Sequence, residues 1–229
     1  MEHHYYFLNE ILRILGFGHF AEKYEHVVHS WFVIIIMLLA AFFMSRRITI
    51  LPEKGQNILE FIVEKLENFM VDITGPEGRA FFPYIATVFL YILICNLLGL
   101  IPGFISPTAN LNTTLSLAIC TFVMTHIIGI KFHGIRYIKH FFGPVWPLAP
   151  LMFVIEIIGH LARVLSLSVR LFGNIFAKEE ILGILFALWG LYLLPLPVLA
   201  LGVLVSLIQA VVFMLLSIVY FAGAMEEAH

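Results

Sequence analysis

Apolar positions in this chain come in blocks too long for the core of a soluble domain. The first runs over residues 27–44, carries Trp31 near one end and is closed by Arg46 and Arg47. Residues 53–80 follow with charges at helical spacing and a Gly75-Pro76 turn, the pattern of a surface helix plus loop. No charge occurs between residues 81 and 130, and that stretch predicts two spans, about 81–101 and 113–130. Between them, residues 102–112 are rich in Pro, Gly, Asn and Thr and predict a hinge. A basic loop with Lys131, Arg136 and Lys139 ends at Pro144, Pro147 and Pro150. Two long apolar segments close the chain, 151–194 and 196–223, separated by Pro195 and Pro197. Ahead of the first block, Leu8, Ile11, Leu12 and Leu15 recur at helical spacing in a polar context, so residues 1–26 predict an amphipathic surface segment. His3 and His4 within it are read as a solvated pair rather than metal ligands.

As a single helix, the 151–194 segment would be about 66 Å long, against a hydrocarbon core of about 30 Å. It must lie strongly tilted or break, and Gly173, Gly183 and Gly190 are the candidate break points. No strong turn sequence occurs inside it, which favours the tilted helix. The fold class is then all-α and polytopic: a single membrane domain over residues 27–229 with about five spans, the last two forming a tilted hairpin. Five spans place Arg46, Arg47, Lys54, Lys65, Arg79, Lys131, Arg136 and Lys139 on one side of the membrane and only Arg13 and Lys23 on the other. The positive-inside rule then sets the N-terminus outside and the C-terminus in the cytoplasm. Two upright spans in place of the tilted helix would leave that distribution intact and move only the C-terminus.

Composition agrees with this. The chain has 229 residues, 61% hydrophobic and 12% charged, where soluble domains carry about a quarter charged residues. The net charge of −2 gives no footprint for nucleic acid. Cys95 and Cys120 lie in apolar segments without metal-ligand spacing and are read as small core residues. A basic n-region of the secretory type is absent from the N-terminus.

The chemistry concentrates in the first long segment. Glu156, His160, Arg163, Arg170, Asn174 and Lys178 follow one another at steps of 4, 3, 7, 4 and 4, which predicts a polar stripe that Leu167 also joins. Glu179, nine positions from Arg170, points about 180° away at 100° per residue. Glu156 could pair internally with His160 or Arg163; Arg163 and Lys178 could snorkel; Asn174 could bond a neighbouring helix; Ser166 and Ser168 are expected to bond helix carbonyls. Arg170 resists such readings. It cannot lose its proton, and a charge at the bilayer centre costs about 3 to above 10 kcal/mol. The acid on its own stripe is four turns away. An external charged partner is the economical reason for it. In the last segment Ser206, Gln209, Phe213, Leu216 and Tyr220 share a face, and Gln209 is expected to bond a group on the preceding helix. His126 reads as a core or proton-handling histidine, and Asn96 and Asn110 as cavity-lining or capping. Glu156-x-x-x-His160 finds no further ligand at zinc spacing, so no metal site is expected.

Three motifs in order, PTANLNTTLSLA (residues 107–118), SLSVRLFGNIFAKE (166–179) and SLIQAVVFMLLSIVYFAGAMEE (206–227), closely resemble subunit a of the membrane sector of bacterial F-type ATP synthases. The resemblance covers the chain from about residue 27 onward. It implies a stator in the cell inner membrane beside a rotating ring of c subunits, with the b-subunit stalk and the rest of the complex as further partners. It implies no cofactor and no catalytic centre on this chain. The family's essential arginine maps onto Arg170, its neighbouring Asn onto Asn174, its channel Glu onto Glu179, an upstream acid onto Glu156 and its Gln onto Gln209. Proton translocation is the implied function, with His160, Arg163, Lys178, Ser206, His126 and Asn96 as further channel-lining candidates. Two departures stand out: Gly202 replaces a residue titratable in many relatives, and Lys178 stands at a position often small or titratable. A secondary transporter or a membrane scaffold is the competing reading. No paired repeat supports the first, and the ionisable residues cluster in the C-terminal half; the second would not need an unpaired mid-membrane arginine.

Overall fold

The computed structural model describes residues 7–14, 16, 18–46, 54–134, 137, 149–189 and 195–226. His3, His4, Leu15, Gly190 and the 190–194 end of the long segment lie outside the described residues. The described chain is all-helical. Short helices α1 (Phe7–Ile14) and α2 (Gly18–Lys23) stand in place of one amphipathic segment. They are followed by α3 (Glu25–Ser45), the surface helix α4 (Lys54–Thr74), a 3-10 turn (Pro76–Phe81) and α5 (Phe82–Leu98). A second 3-10 turn (Pro107–Ala109) precedes α6 (Leu111–His133), and α7 (Ala149–Trp189) and α8 (Pro195–Met225) complete the chain.

Five helical segments are long and apolar enough to cross a membrane: Glu25–Ser45, Pro76–Leu98, Leu111–His133, Pro150–Phe186 and Leu196–Met225. These match the predicted spans to within a few residues at most ends. α7 runs unbroken for 41 residues through Gly173 and Gly183, and α8 for 31. At 1.5 Å per residue they measure about 61 and 46 Å, so spanning a 30 Å core tilts them by about 60° and 50°.

Helices α5, α6, α7 and α8 pack on one another, with α4 against α8 and α3 against α5. Their shared core holds Ile85, Ile92, Ile128, Leu171, Ile175, Phe213, Ile218 and Phe221, all nearly solvent-inaccessible. Large apolar side chains also cover the outside, including Ile34, Leu38, Leu151, Leu161 and Leu204. An apolar exterior is what lipid demands, and it removes the hydrophobic drive for helix association. Close packing and cross-helix hydrogen bonds take over. Small residues Ala118 and Ala210 are buried at the contacts. The Thr114 and Ser168 hydroxyls meet at 3.0 Å between α6 and α7, and those of Tyr84 and Thr121 at 3.1 Å between α5 and α6. Such bonds average about 0.6 kcal/mol in a membrane protein, so packing carries most of the association.

Local chemistry sets the turns. Asn110 caps α6, its side-chain oxygen accepting from the Asn112 N–H at 2.9 Å. Gly134 ends α6 with φ +56°, a conformation open to glycine, and turns the chain so that the Tyr137 N–H reaches the Gly134 carbonyl at 3.2 Å. Cys95 is buried as expected. Cys120 is instead exposed, on the side of α6 turned away from the core, and neither cysteine is in a disulfide.

Candidate functional site

Helix α7 passes through three polar zones. At its start, Glu156 Oε1 lies 3.3 Å from His160 Nε2, so the pair at i,i+4 spacing is the one that forms. The His160 ring meets His126 of α6 edge-on at 4.9 Å, and His126 Nδ1 lies 2.9 Å from the Tyr137 hydroxyl. Arg163 is exposed on this face and rests its guanidinium 5.7 Å over the Tyr220 ring of α8. It makes no ion pair with Glu156.

The middle zone is Arg170. Its side chain is exposed, and its Nη2 donates to Ser166 Oγ at 3.4 Å. No carboxylate pairs with it among the described residues. Ser166 therefore receives the arginine, while Ser168 bonds Thr114; neither makes the helix-carbonyl bond expected from sequence. Asn174, one turn on, is also exposed. Gln209 of α8 is half-buried and makes no hydrogen bond to a described residue, contrary to the expected bond with α7.

The third zone corrects the predicted stripe. Lys178 is buried rather than snorkelling, at 8% exposure, and its Nζ donates to the Asn96 carbonyl at 2.9 Å and to Ser206 Oγ at 3.2 Å. Eight residues turn a helix by about 800°, so Lys178 lies 80° from Arg170 and joins the inward row Leu171, Ile175 and Leu182. Leu167 is buried too and belongs to the core rather than to the arginine stripe. The lysine stem crosses Gly202: a Cβ there would sit 2.7 Å from Leu100 Cδ2 and 3.2 Å from Lys178 Cδ. Glycine at 202 thus leaves room that Leu100 and the lysine stem share.

Glu179 turns the other way, as its offset from Arg170 requires. It accepts the Ser106 backbone N–H at 2.6 Å and lines a cavity of about 620 Å³ with residues 99–105 and the far end of α7. Around it, Ser106 Oγ donates to the Cys95 carbonyl at 2.8 Å and meets Thr108 Oγ1 at 2.7 Å. Thr108 in turn donates to Asn96 Oδ1 at 2.5 Å, and Asn96 Nδ2 reaches the Ser206 carbonyl at 3.3 Å. Asn96 is therefore a buried organiser that links α5, the hinge and α8. Ser106 and Thr108 were not singled out from sequence. Two hydroxyls flanking Pro107 in the hinge were the available signal.

The fold and these zones define a multi-pass membrane subunit with ionisable groups set along one long helix. Residues 27–222 match the family model described as ATP synthase A chain. The chain is 54% identical to ATP synthase subunit a of Desulfosudis oleivorans over 229 residues, all of both chains, and 51% identical to that of Syntrophobacter fumaroxidans, again over both full lengths. It is 53% identical to ATP synthase subunit a of Trichlorobacter lovleyi over 89% of this chain and 88% of that one. The chain belongs to the ATP synthase A chain family, subunit a of the membrane sector of F-type ATP synthases. It is accordingly a multi-pass inner-membrane component of that complex, engaged in ATP synthesis and proton transport.

Proposed function

We propose that this chain is the proton-translocating stator of its complex, offering two aqueous half-channels to a ring of c subunits and docking to the b-subunit stalk. One observation carries the reading. Arg170 stands exposed on α7 with no acid beside it, while Glu179, about 13.5 Å further along at 1.5 Å per residue, faces the opposite way into an open cavity. A fixed cation open to the lipid side suits a carboxylate that arrives from another subunit. A carboxylate in a cavity suits proton delivery.

Each ring carboxylate would cross lipid protonated, because the bare anion costs too much there. Facing Arg170 it ionises, since the fixed charge favours the anion. Its proton leaves by one half-channel and another enters by the other before the carboxylate returns to lipid. Arg170 also keeps the half-channels apart by repelling a proton that would leak between them. Each charge crossing is worth about 2.3 kcal/mol per 100 mV, so several crossings drive one ATP. Glu179, with Lys178, Asn96 and Ser206 behind it, belongs to the entry path from outside. Glu156 belongs to the exit path towards the cytoplasm. Asn174, one turn along α7 from the arginine, and Gln209 of α8 belong to the same path.

Arg170→Ala is expected to abolish ATP-driven proton pumping and ATP synthesis in the reconstituted complex while the c-ring still co-purifies. Normal coupled pumping in that variant defeats the proposal. Glu179→Gln should lower proton flux at least tenfold, with Glu179→Asp and Glu179→His retaining part of it. Equal wild-type flux in all three would remove Glu179 from the path.

A further inference from the structure

The polar zone at the start of α7 is built from more than the acid assigned to the exit. His126 and His160 come from different helices, yet their rings touch at 4.9 Å and 88°. One end of the pair is held by the Tyr137 hydroxyl at 2.9 Å, the other by Glu156 at 3.3 Å. The Phe122 ring backs both imidazoles, 4.2 Å from His126 and 5.7 Å from His160, so their other side is apolar. Beside His160 and Arg163, under Thr121, Thr125 and Tyr220, lies a cavity of about 20 Å³. That is room for one water, with polar partners to hold it.

The arrangement is also specified at the loop end. Gly129 is buried under the Tyr137 ring, and a methyl at that position would collide with three of its carbons. The backbone of α6 is kept bare at the point where the tyrosine must lie flat to reach His126. A pair of phenylalanines would fill the same space without any of these polar contacts. Two imidazoles between a phenol and a carboxylate, with a water site beside His160, are instead what proton movement requires.

We propose that His126 and His160, held between Tyr137 and Glu156, form a proton relay joining water at the basic-loop end of the molecule to the face of α7 that carries Arg170. This rests on the proton-channel reading above. In each step an imidazole gains a proton at one ring nitrogen, forming an N–H bond, and loses the proton from its other nitrogen. Charge and atoms balance, and the ring is left as its other tautomer until the reverse transfer or a ring flip resets it. Edge-on contact lets only one ring carry the extra proton at a time, since two adjacent imidazoliums repel. The groups that face the pair are Glu156 and Arg163 on α7, Tyr137 beyond α6 and Tyr220 on α8. His133 lies two turns along α6, and Tyr84 of α5 is engaged with Thr121.

The test is ATP-driven proton pumping by the whole complex in liposomes, with the pH on the ATP side stepped from about 5.5 to 8.5 across the ordinary imidazole range. The His126→Gln, His160→Gln double variant should pump about tenfold slower above pH 7 and lose the inflection that an imidazole relay should give the parent's profile. A rate and profile like the parent's overturn the relay. So does a uniform loss at every pH with the inflection intact, because that is the signature of packing. If the double variant does not assemble, Tyr137→Phe decides the matter, since it keeps the ring over Gly129 and removes only the hydroxyl. It should slow pumping about threefold and shift the inflection, and an unchanged profile overturns the relay. Arg170→Ala measured in the same preparation separates the two proposals. If it is inactive while the histidine variants are normal, only the relay falls; if it pumps normally, the channel reading falls with it.

Discussion

At the scale of single residues, Lys178 and Gly202 behave as one unit. The lysine stem and Leu100 together occupy the space a side chain at 202 would need, and the ammonium joins the Asn96–Ser206 contact between α5 and α8. Gly202→Ala should push the stem aside and take the ammonium off the Asn96 carbonyl, with overpacking costing about 1–3 kcal/mol of stability. Leu100 Cδ2 lies nearer still, so Lys178→Ala should relieve only the lysine's share of the crowding, and the double variant is expected to exceed the sum of the single effects by that share. A cycle of thermal-unfolding measurements on the purified complex checks this, and a coupling near zero would show that the two sites are independent. The sequence made Arg170 legible because a fixed charge in an apolar run has no bland explanation. It hid Lys178, because steps of three and four drift: eight residues from Arg170 the row has turned by 80° into the core. Gly202 read only as a missing group, since what fills a glycine's space lies elsewhere in the chain.

At the scale of elements, the hinge between α5 and α6 does more than reverse the chain. Predicted as a turn from its Pro, Gly, Asn and Thr, it also presents the Ser106 N–H to Glu179, 73 positions away. No local pattern encodes a partner that distant, which is why the hinge was legible and its contact was not. Gly99 is the fulcrum. A Cβ there would press on the Ser106 Cβ at 2.6 Å and on the Glu179 carboxylate itself. Gly99→Ala should therefore part Ser106 from Glu179 and lower proton flux to nearly the level of Glu179→Gln, with the c-ring still bound. Flux like the parent's would mean that the hinge does not position the carboxylate. Gly103 at φ +92° sits on the rim of the same cavity, where a side chain would strain the backbone rather than the contact. Helix α7 was legible in length but not in continuity. Gly173 and Gly183 could have broken it, yet the helix continues through both, and neither Cβ position meets a neighbour within 4 Å, so these glycines answer no close approach.

At the scale of the whole molecule, the parity of the fold turns on the continuity of α7. One tilted crossing there makes five spans, and an odd number puts the termini on opposite sides. Two upright crossings would make six and return the C-terminus to the side of the N-terminus. Charge cannot choose between them, because no Lys or Arg follows Lys178. The unbroken 41 residues can: no turn exists within the described helix from which a second crossing could start. Single cysteines read the outcome once Cys95 and Cys120 are replaced. Glu64→Cys on the exposed face of α4 and Glu226→Cys beyond α8 should react with a membrane-impermeant maleimide from the same side, the side to which the basic loops assign the cytoplasm. Asn112→Cys at the exposed start of α6 should react only from the other. If position 226 labels together with 112, α7 crosses twice, and Glu156 and Glu179 no longer lie at opposite ends of one helix. The separation of an exit acid from an entry acid depends on that single crossing.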